Sequence, residues 1–300
     1  MFSKLLIPLD GSKTSEKVLP FAHILAHTLK LPVELLEVVD ISTATAHVVA
    51  DKARYLDGII AEGERASRER LAEVSASFAG AHIECKVERG RPAEAIIARA
   101  EAEPGTLVAM ATHGRSGISR WMMGSVAEKV LRGTSVPLFL VRASKESTPA
   151  RPANIKSIIV PLDGSELAES VLPTVAELAK CLDAEVVLGR AYELAASTYY
   201  GKEDYLPKYD EILRALKEEV ESYLHQKSAG LKARGVSKVS WVALEGSGAE
   251  EIVRYANGHP DVLLAMCTHG RTGVTRWTLG SVTEKVVRHS NKPVLVLHAA

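Results

Sequence analysis

Two fifteen-residue segments of this chain are almost the same: ATHGRSGISRWMMGS at Ala111–Ser125 and CTHGRTGVTRWTLGS at Cys267–Ser281. When the comparison is extended over 111–132 and 267–288, 14 of the 22 positions are identical. A packed core does not require glycine, histidine and arginine to return at fixed spacing. The repeat therefore indicates a duplicated loop, which either binds a ligand or serves the structure alone.

The repeat extends over the whole chain. KLLIPLDGS at Lys4–Ser12 returns as SIIVPLDGS at Ser157–Ser165, so each half begins and ends with matching segments. Between the halves lies a stretch of proline and small polar residues, which is typical of a linker. We expect domains at 1–143 and 156–300, joined by a linker at 144–155.

Apolar and amphipathic segments alternate within each half. In the first half LLIPLD, VELLEVVD and TLVAMAT are typical of buried strands, whereas PAEAIIARAEA and SVAEKVLRG have helical spacing. This alternation predicts an α/β protein of two tandem Rossmann-like, doubly wound domains, each a five-stranded parallel sheet flanked by helices. Ligands of such sheets bind beyond the carboxyl ends of the strands, where the strand order reverses.

The charge balance and the cysteine content bear on which partners and which cellular compartment we expect. Lysine plus arginine and aspartate plus glutamate both number 37, so no global basic field favours nucleic acid or a membrane surface. The three cysteines are scattered, without zinc spacing, and we interpret them as ordinary buried thiols in a reducing compartment. With no signal peptide and no apolar run of about 20 residues, we expect a cytoplasmic protein.

The repeated segment has the chemistry of a phosphate-binding loop. Glycines at 114, 117 and 124 follow an apolar strand and precede a helix, whose N-terminal N–H groups and dipole attract anions. The alternative is structural: Ser125 and Glu128 have the spacing of a capping box, as do Ser281 and Glu284. A serine that only caps a helix needs no ligand.

Two further repeated residue types are candidates. Asp10 and Asp163 each end a strand and could hydrogen-bond a ribose or an adenine amine, or stabilise the following turn. His113 and His269 could act as general bases, although no orienting partner is visible beside them, so a structural role is favoured. Neither GxxxxGK[ST] nor a GxGxxG after the first strand is present, which excludes the common P-loop and dinucleotide motifs.

Taken together, these residues resemble the universal stress protein family in its tandem two-domain form. The family motif G-x2-G-x9-G-[ST] is matched from its second glycine onward, by Gly114, Gly124 and Ser125 in the first half and by Gly270, Gly280 and Ser281 in the second. Alanine and cysteine, at 111 and 267, stand where the family has its first glycine. This departure bears on whether ATP binds.

The resemblance implies up to two ATP sites, with magnesium or manganese bridging the phosphates. The residues that it implies around the adenosine are Pro8, Asp10 and Val38 in the first half and Pro161, Asp163 and Ala191 in the second. Those that it implies around the phosphates are Gly114, Arg115, Gly124, Ser125 and Val126, then Gly270, Arg271, Gly280, Ser281 and Val282.

The resemblance also implies pairing of the last strands, here between the halves of one chain, and dimerisation of whole chains. Three hypotheses follow for function. The first is an ATP-binding regulator of the stress response that senses nucleotide occupancy. The second is a slow ATPase that uses Asp10 or His113 to position water, and the third is a nucleotide-free interaction module.

Overall fold

The computed structural model describes residues 1–41, 53–78, 80–113, 123–142, 153–194, 206–268 and 279–298, with side chains from 57 and from 209 onward in the two long helices. The chain divides into two compact units, Met1–Ala153 and Asn154–Ala300. The predicted α/β class and the two Rossmann-like domains are confirmed. The domain boundaries at 143 and 155 stay predictions.

The first unit is a parallel sheet with helices between its strands. Its elements are β1 (Lys4–Leu9), a 3-10 turn (Ser15–Val18), α1 (Leu19–Leu29), β2 (Val33–Asp40), α2 (Ala53–Ser75), β3 (Ile83–Gly90), α3 (Pro92–Glu101), β4 (Thr106–Ala111), α4 (Ser125–Gly133) and β5 (Leu138–Val141). The strand order is β3-β2-β1-β4-β5, and neighbouring strands pair in parallel. Every residue of β1 and β4 is buried, as expected for central strands covered on both faces.

The second unit repeats this architecture. Its elements are β6 (Ser157–Pro161), α5 (Glu166–Glu169), α6 (Leu172–Leu182), β7 (Glu185–Tyr192), α7 (Leu206–Ala233), β8 (Val239–Glu245), α8 (Gly248–Asn257), β9 (Val262–Cys267), α9 (Ser281–His289) and β10 (Val294–Leu297). The strand order is β8-β7-β6-β9-β10, again with parallel neighbours.

Strand order reverses once in each unit. The chain moves outward from β1 to β2 and β3, then crosses to β4 on the other side of β1; β6 and β9 are the equivalent pair in the second unit. The crevice beyond the carboxyl ends of these strands is where a doubly wound fold binds its ligands. Both repeated loops begin there.

A buried ion cluster lies at the opposite, amino-terminal end of the first sheet. Glu34 of β2, whose side chain is 2% exposed, accepts hydrogen bonds from Lys4 of β1 and from Arg99 of α3. Lys4 also pairs with Glu103 at 2.9 Å. Because each buried charge has a partner of opposite sign, the cluster joins β1, β2 and α3 without an unpaired ion.

One prediction about the cysteines is wrong. Cys267 is buried, but Cys85 and Cys181 are exposed. Cys85 lies on β3 and Cys181 lies in the last turn of α6. At these two positions the hydrophobic periodicity of the sequence does not show whether a small side chain faces the core or the solvent. None of the described helices is both long enough and apolar enough to cross a bilayer.

Candidate functional site

The first unit has a cleft of about 490 Å³ at its crevice. It is walled by the carboxyl ends of β1, β2 and β4, by α2 and by the first turn of α4. All the described residues that the sequence predicted for this unit line it: Pro8, Asp10, Val38, Gly124, Ser125 and Val126. The fold therefore brings together residues that lie more than a hundred positions apart, while their role as ligands stays a prediction.

The Asp10 carboxylate forms the turn that follows β1. Its Oδ1 accepts hydrogen bonds from the Ser12 N–H at 3.0 Å and from the Ser12 hydroxyl at 2.6 Å. Gly11 between them has φ 75°, a conformation that strains any residue with a side chain. The structural role considered for Asp10 is thus present, and the carboxylate also lines the cleft.

The first turn of α4 faces the cleft with uncapped backbone. Gly124 is the N-cap, with φ −63° and ψ 144°, and as a glycine it supplies no side chain to cap the helix. The capping box that was the structural alternative is therefore wrong, because the helix begins at Ser125 and not after it. A glycine N-cap leaves the first N–H groups available to an anion. The same correction holds for Ser281, which follows the N-cap Gly280 of α9.

The helix start is tied directly to the end of the strand. The Gly124 N–H donates to the Thr112 carbonyl at 2.7 Å, and the Thr112 N–H donates to the Val141 carbonyl at 2.9 Å. These bonds hold the entry and exit of the repeated loop together beside β5. His113 lines the cleft, and its Nδ1 lies 3.0 Å from the Thr112 hydroxyl.

The sequence analysis did not predict a buried carboxylate on β2. Glu37, with a side chain 3% exposed, binds the guanidinium of Arg70 from α2 and accepts a hydrogen bond from Ser67 at 2.9 Å. The Arg70 guanidinium also lies against Gly11, where an added Cβ would be 2.7 Å from its Nε. The hydrogen bond that Arg70 donates to Glu37 raises the pKa of the guanidinium above its usual value. This arginine is therefore held by a carboxylate at the edge of the cleft.

The second unit has an equivalent cleft of about 450 Å³. All the described residues predicted for this unit line it: Pro161, Asp163, Ala191, Gly280, Ser281 and Val282. Asp163 repeats the turn of the first unit, since its Oδ1 accepts from the Ser165 N–H at 2.9 Å and from the Ser165 hydroxyl at 2.6 Å. The Gly280 N–H donates to the Thr268 carbonyl at 2.7 Å, again joining helix start to strand end.

The two clefts differ at the second strand. Arg190 of β7 occupies the repeat position of Glu37, and Tyr223 of α7 occupies that of Arg70. The Arg190 guanidinium lies over the Tyr223 ring, 4.7 Å from its centroid. Tyr223 donates to Glu169 at 2.8 Å, and Glu169 pairs with Lys227 at 2.6 Å. Burial raises the pKa of Tyr223 and the hydrogen bond to Glu169 raises it further, so the phenol stays neutral.

Cys267 stands at the first glycine position of the second motif. It is the last residue of β9 and 4% exposed, and its Sγ lies 3.0 Å from the Ser170 hydroxyl. Burial raises the pKa of the thiol, although the contact with Ser170 lowers it in part. Ala111 is the equivalent last residue of β4 and is also buried. The thiol therefore has a protein contact of its own beside the cleft.

Several predicted residues lie outside the described part of the chain. These are Gly114, Arg115, His269, Gly270 and Arg271. Their predicted roles stay predictions.

Comparison with known proteins matches each half of the chain separately. The model of the universal stress protein family matches the chain twice, over residues 1–142 and 154–298. The chain belongs to the universal stress protein family. Two matches in tandem give two universal stress protein domains, as the repeat indicated.

Individual universal stress proteins resemble one half at a time or the whole chain. Universal stress protein MJ0531 of Methanocaldococcus jannaschii is 35% identical over 145 residues, which cover 47% of this chain and 81% of that protein. Universal stress protein YxiE of Bacillus subtilis is 29% identical over 148 residues, covering 47% of this chain and all of that protein. The crystal structure of a universal stress protein from Archaeoglobus fulgidus covers 99% of this chain and 98% of its own, with a TM-score of 0.69 and 21% identity. At that identity the likeness is one of fold.

Proposed function

We propose that this universal stress protein binds an adenine nucleotide, ATP with magnesium, in each of its two clefts, and that their occupancy carries a signal in the stress response. The observation that supports it best is the convergence of the predicted residues on one cleft in each unit. Two clefts of about 450 and 490 Å³ fall within the usual range for small-molecule sites, roughly 300–1,000 Å³.

The phosphate end of each site would be the start of α4 or α9. Glycine N-caps leave backbone N–H groups and the positive end of the helix dipole facing the cleft. Arg115 and Arg271 in the loops would add positive charge. Among the described residues no group of three or more histidine, cysteine or acidic side chains could hold a metal ion, so magnesium would be held mainly through the phosphates.

The nucleoside end would lie at the Asp10 and Asp163 turns. Each carboxylate is already oriented by the hydrogen bonds from the serine two residues later, so it can accept a further bond from a ribose hydroxyl or an adenine amine without reorganisation. Val38 and Ala191, near the carboxyl ends of β2 and β7, would present backbone to the adenine ring.

Thermal unfolding with added nucleotide tests this proposal. A ligand that binds the native state at a hundred times its Kd stabilises it by about 2.7 kcal/mol, so ATP with magnesium should raise the Tm while GTP should raise it less. Equal shifts with all nucleoside triphosphates would contradict adenine recognition. No shift with any of them would favour the nucleotide-free module, with Ala111 and Cys267 as the reason.

A slow ATPase is the second candidate, supported by the position of His113 in the first cleft beside Thr112. Phosphate release under single-turnover conditions separates the two functions. If His113 positions water, His113→Ala should abolish release and retain ATP binding. If the chain senses occupancy alone, neither the wild type nor the variant should release phosphate above the rate of free ATP.

The assembly of the chain is a separate proposal. Two family matches in one chain support a pseudo-dimer of the two halves, and whole chains would then associate as a homodimer. Light scattering coupled to size-exclusion chromatography measures this directly, with about 65 kDa expected for a dimer of 32.3 kDa chains.

A further inference from the structure

We propose that the second cleft is selective for adenine nucleotides that carry a phosphate on the ribose in addition to the 5′ position, and that Arg190 is the residue that determines this. The inference rests on the proposed function, because it assigns a ligand class to one of the two nucleotide clefts. Glu37 and Arg190 occupy the same position of the repeat, and they carry opposite charges.

The arginine of the first cleft is already neutralised. Arg70 is bound by the buried carboxylate of Glu37 and by the Ser67 hydroxyl at 3.1 Å. Because burial of Glu37 without a cation would be costly, the pair has to persist whether or not a ligand is present. Among the described residues, the first cleft therefore has no spare guanidinium at the edge of its Asp10 turn.

The arginine of the second cleft has an aromatic partner instead. The Arg190 guanidinium rests on the neutral Tyr223 ring and lies against Gly164, where an added Cβ would be 3.3 Å from both terminal nitrogens. Within the described residues Arg190 forms no ion pair. A cation–π contact fixes the plane of a guanidinium and leaves its N–H donors at the ring's edge to other groups.

The position of Arg190 separates it from the helix start. Arg190 is at the carboxyl end of β7, beside the Asp163–Gly164 turn, whereas Gly280 and Ser281 open α9. Both features line the same cleft. If the 5′-phosphates lie at the helix start, a second anion is favoured at the nucleoside end. In dinucleotide-binding folds an acid near this strand end holds free ribose hydroxyls, and an arginine accommodates a ribose phosphate.

Besides Asp163 of the turn, two further carboxylates line the second cleft and oppose an anion. Glu193 and Glu219 are both exposed to solvent, so their repulsion is screened. Arg190 is more enclosed, between a ring and a backbone turn, where a charge-assisted hydrogen bond to phosphate is stronger.

Matched ligands test the assignment. ADP, adenosine 3′,5′-bisphosphate and adenosine 2′,5′-bisphosphate each carry two phosphate groups on one adenosine and differ mainly in where the second is attached. The full chain with Gly124→Asp, which blocks the first cleft, reports on the second cleft by calorimetry; Gly280→Asp reports on the first. Wild-type chain fitted with two sites provides the same comparison without either variant.

We expect at least one bisphosphate to bind the second cleft about tenfold or more tightly than ADP, as one arginine–phosphate pair permits. Arg190→Gln should remove this preference, while the exposed Arg234→Gln should retain it. The first cleft should show no preference for either bisphosphate over ADP.

Three results would overturn the assignment. One is ADP binding to the second cleft as tightly as both bisphosphates. Another is an equal loss of affinity for all three ligands in Arg190→Gln, which would place Arg190 on the 5′-phosphates. The third is that none of the three ligands binds either cleft; if ATP with magnesium also fails to bind, the proposed function falls as well. ADP binding without a ribose-phosphate preference refutes the selectivity alone.

Discussion

Replacing Gly124 with aspartate should abolish nucleotide binding in the first cleft and leave the fold intact. Gly124 is the N-cap of α4, with φ −63° and ψ 144°, a conformation that aspartate adopts without strain. An N-cap aspartate accepts a hydrogen bond from the N–H of the second or third helical residue, and it is slightly better than glycine, by about 0.3 kcal/mol. Stability should therefore be unchanged or marginally higher.

The same carboxylate would occupy the place of a phosphate. It would take the N–H groups of Val126 or Ala127 that an anion would otherwise use. Two unit charges about 5 Å apart at an effective dielectric constant of about 20 repel by about 3 kcal/mol. That energy corresponds to a Kd raised by about a hundredfold, before the lost hydrogen bonds are counted.

Calorimetry with ATP and magnesium measures the effect as a loss of one site per chain. Gly124→Asn is the matched control, because asparagine caps equally well without charge and should weaken binding less. Gly280→Asp should remove the other site, and the double variant both. Unchanged stoichiometry and affinity in Gly124→Asp, with native circular dichroism, would refute phosphate binding at this helix start.

Two other predictions concern the ion cluster and the thiols. Glu34→Gln should lower the free energy of unfolding by about 2 kcal/mol, because Lys4 and Arg99 lose the carboxylate that they share. Urea denaturation measures this difference. A loss below about 0.5 kcal/mol would show that the cluster is dispensable for stability. Burial raises the pKa of Glu34, but hydrogen bonds from Arg99 and Lys4 and the charges of these two residues lower it by more. The difference in free energy of unfolding between the variant and the wild type should therefore be largest above about pH 4.5, and it should shrink as the pH falls through the lowered pKa. With an aromatic disulfide reagent, the two exposed cysteines should react quickly and the buried Cys267 slowly, since burial also raises its pKa; three equally fast thiols would contradict the packing of β9.

The fold was predictable because its signals are local and occur twice. Central strands such as β1 and β4 are continuous apolar runs, and a strand followed by an amphipathic helix has few alternatives to a parallel sheet. Once the strand ends are placed on one edge, Asp10, Gly124 and Val38 must come together, although they are distant in sequence. The predicted topology was therefore enough to place most residues of the candidate site at one edge of the sheet.

The remaining features depend on contacts between elements. A capping box and a glycine N-cap differ by a shift of one residue, so the pattern around Ser125 could not show where α4 begins. The Arg70–Glu37 pair joins a helix to a strand, and neither residue belongs to the repeated motif. Comparison of the two halves could have drawn attention to Glu37, because a charged residue within a buried strand is matched there by Arg190 of opposite sign.

The stoichiometry of ATP binding tests the central claim most directly. Purified chain, denatured and refolded to remove bound nucleotide, would be titrated with ATP and magnesium in a calorimeter. Saturable binding at two sites per chain is the result expected from two clefts lined by equivalent residues. Absence of heat up to millimolar ATP, with native circular dichroism, would contradict the account and identify both repeated loops as structural.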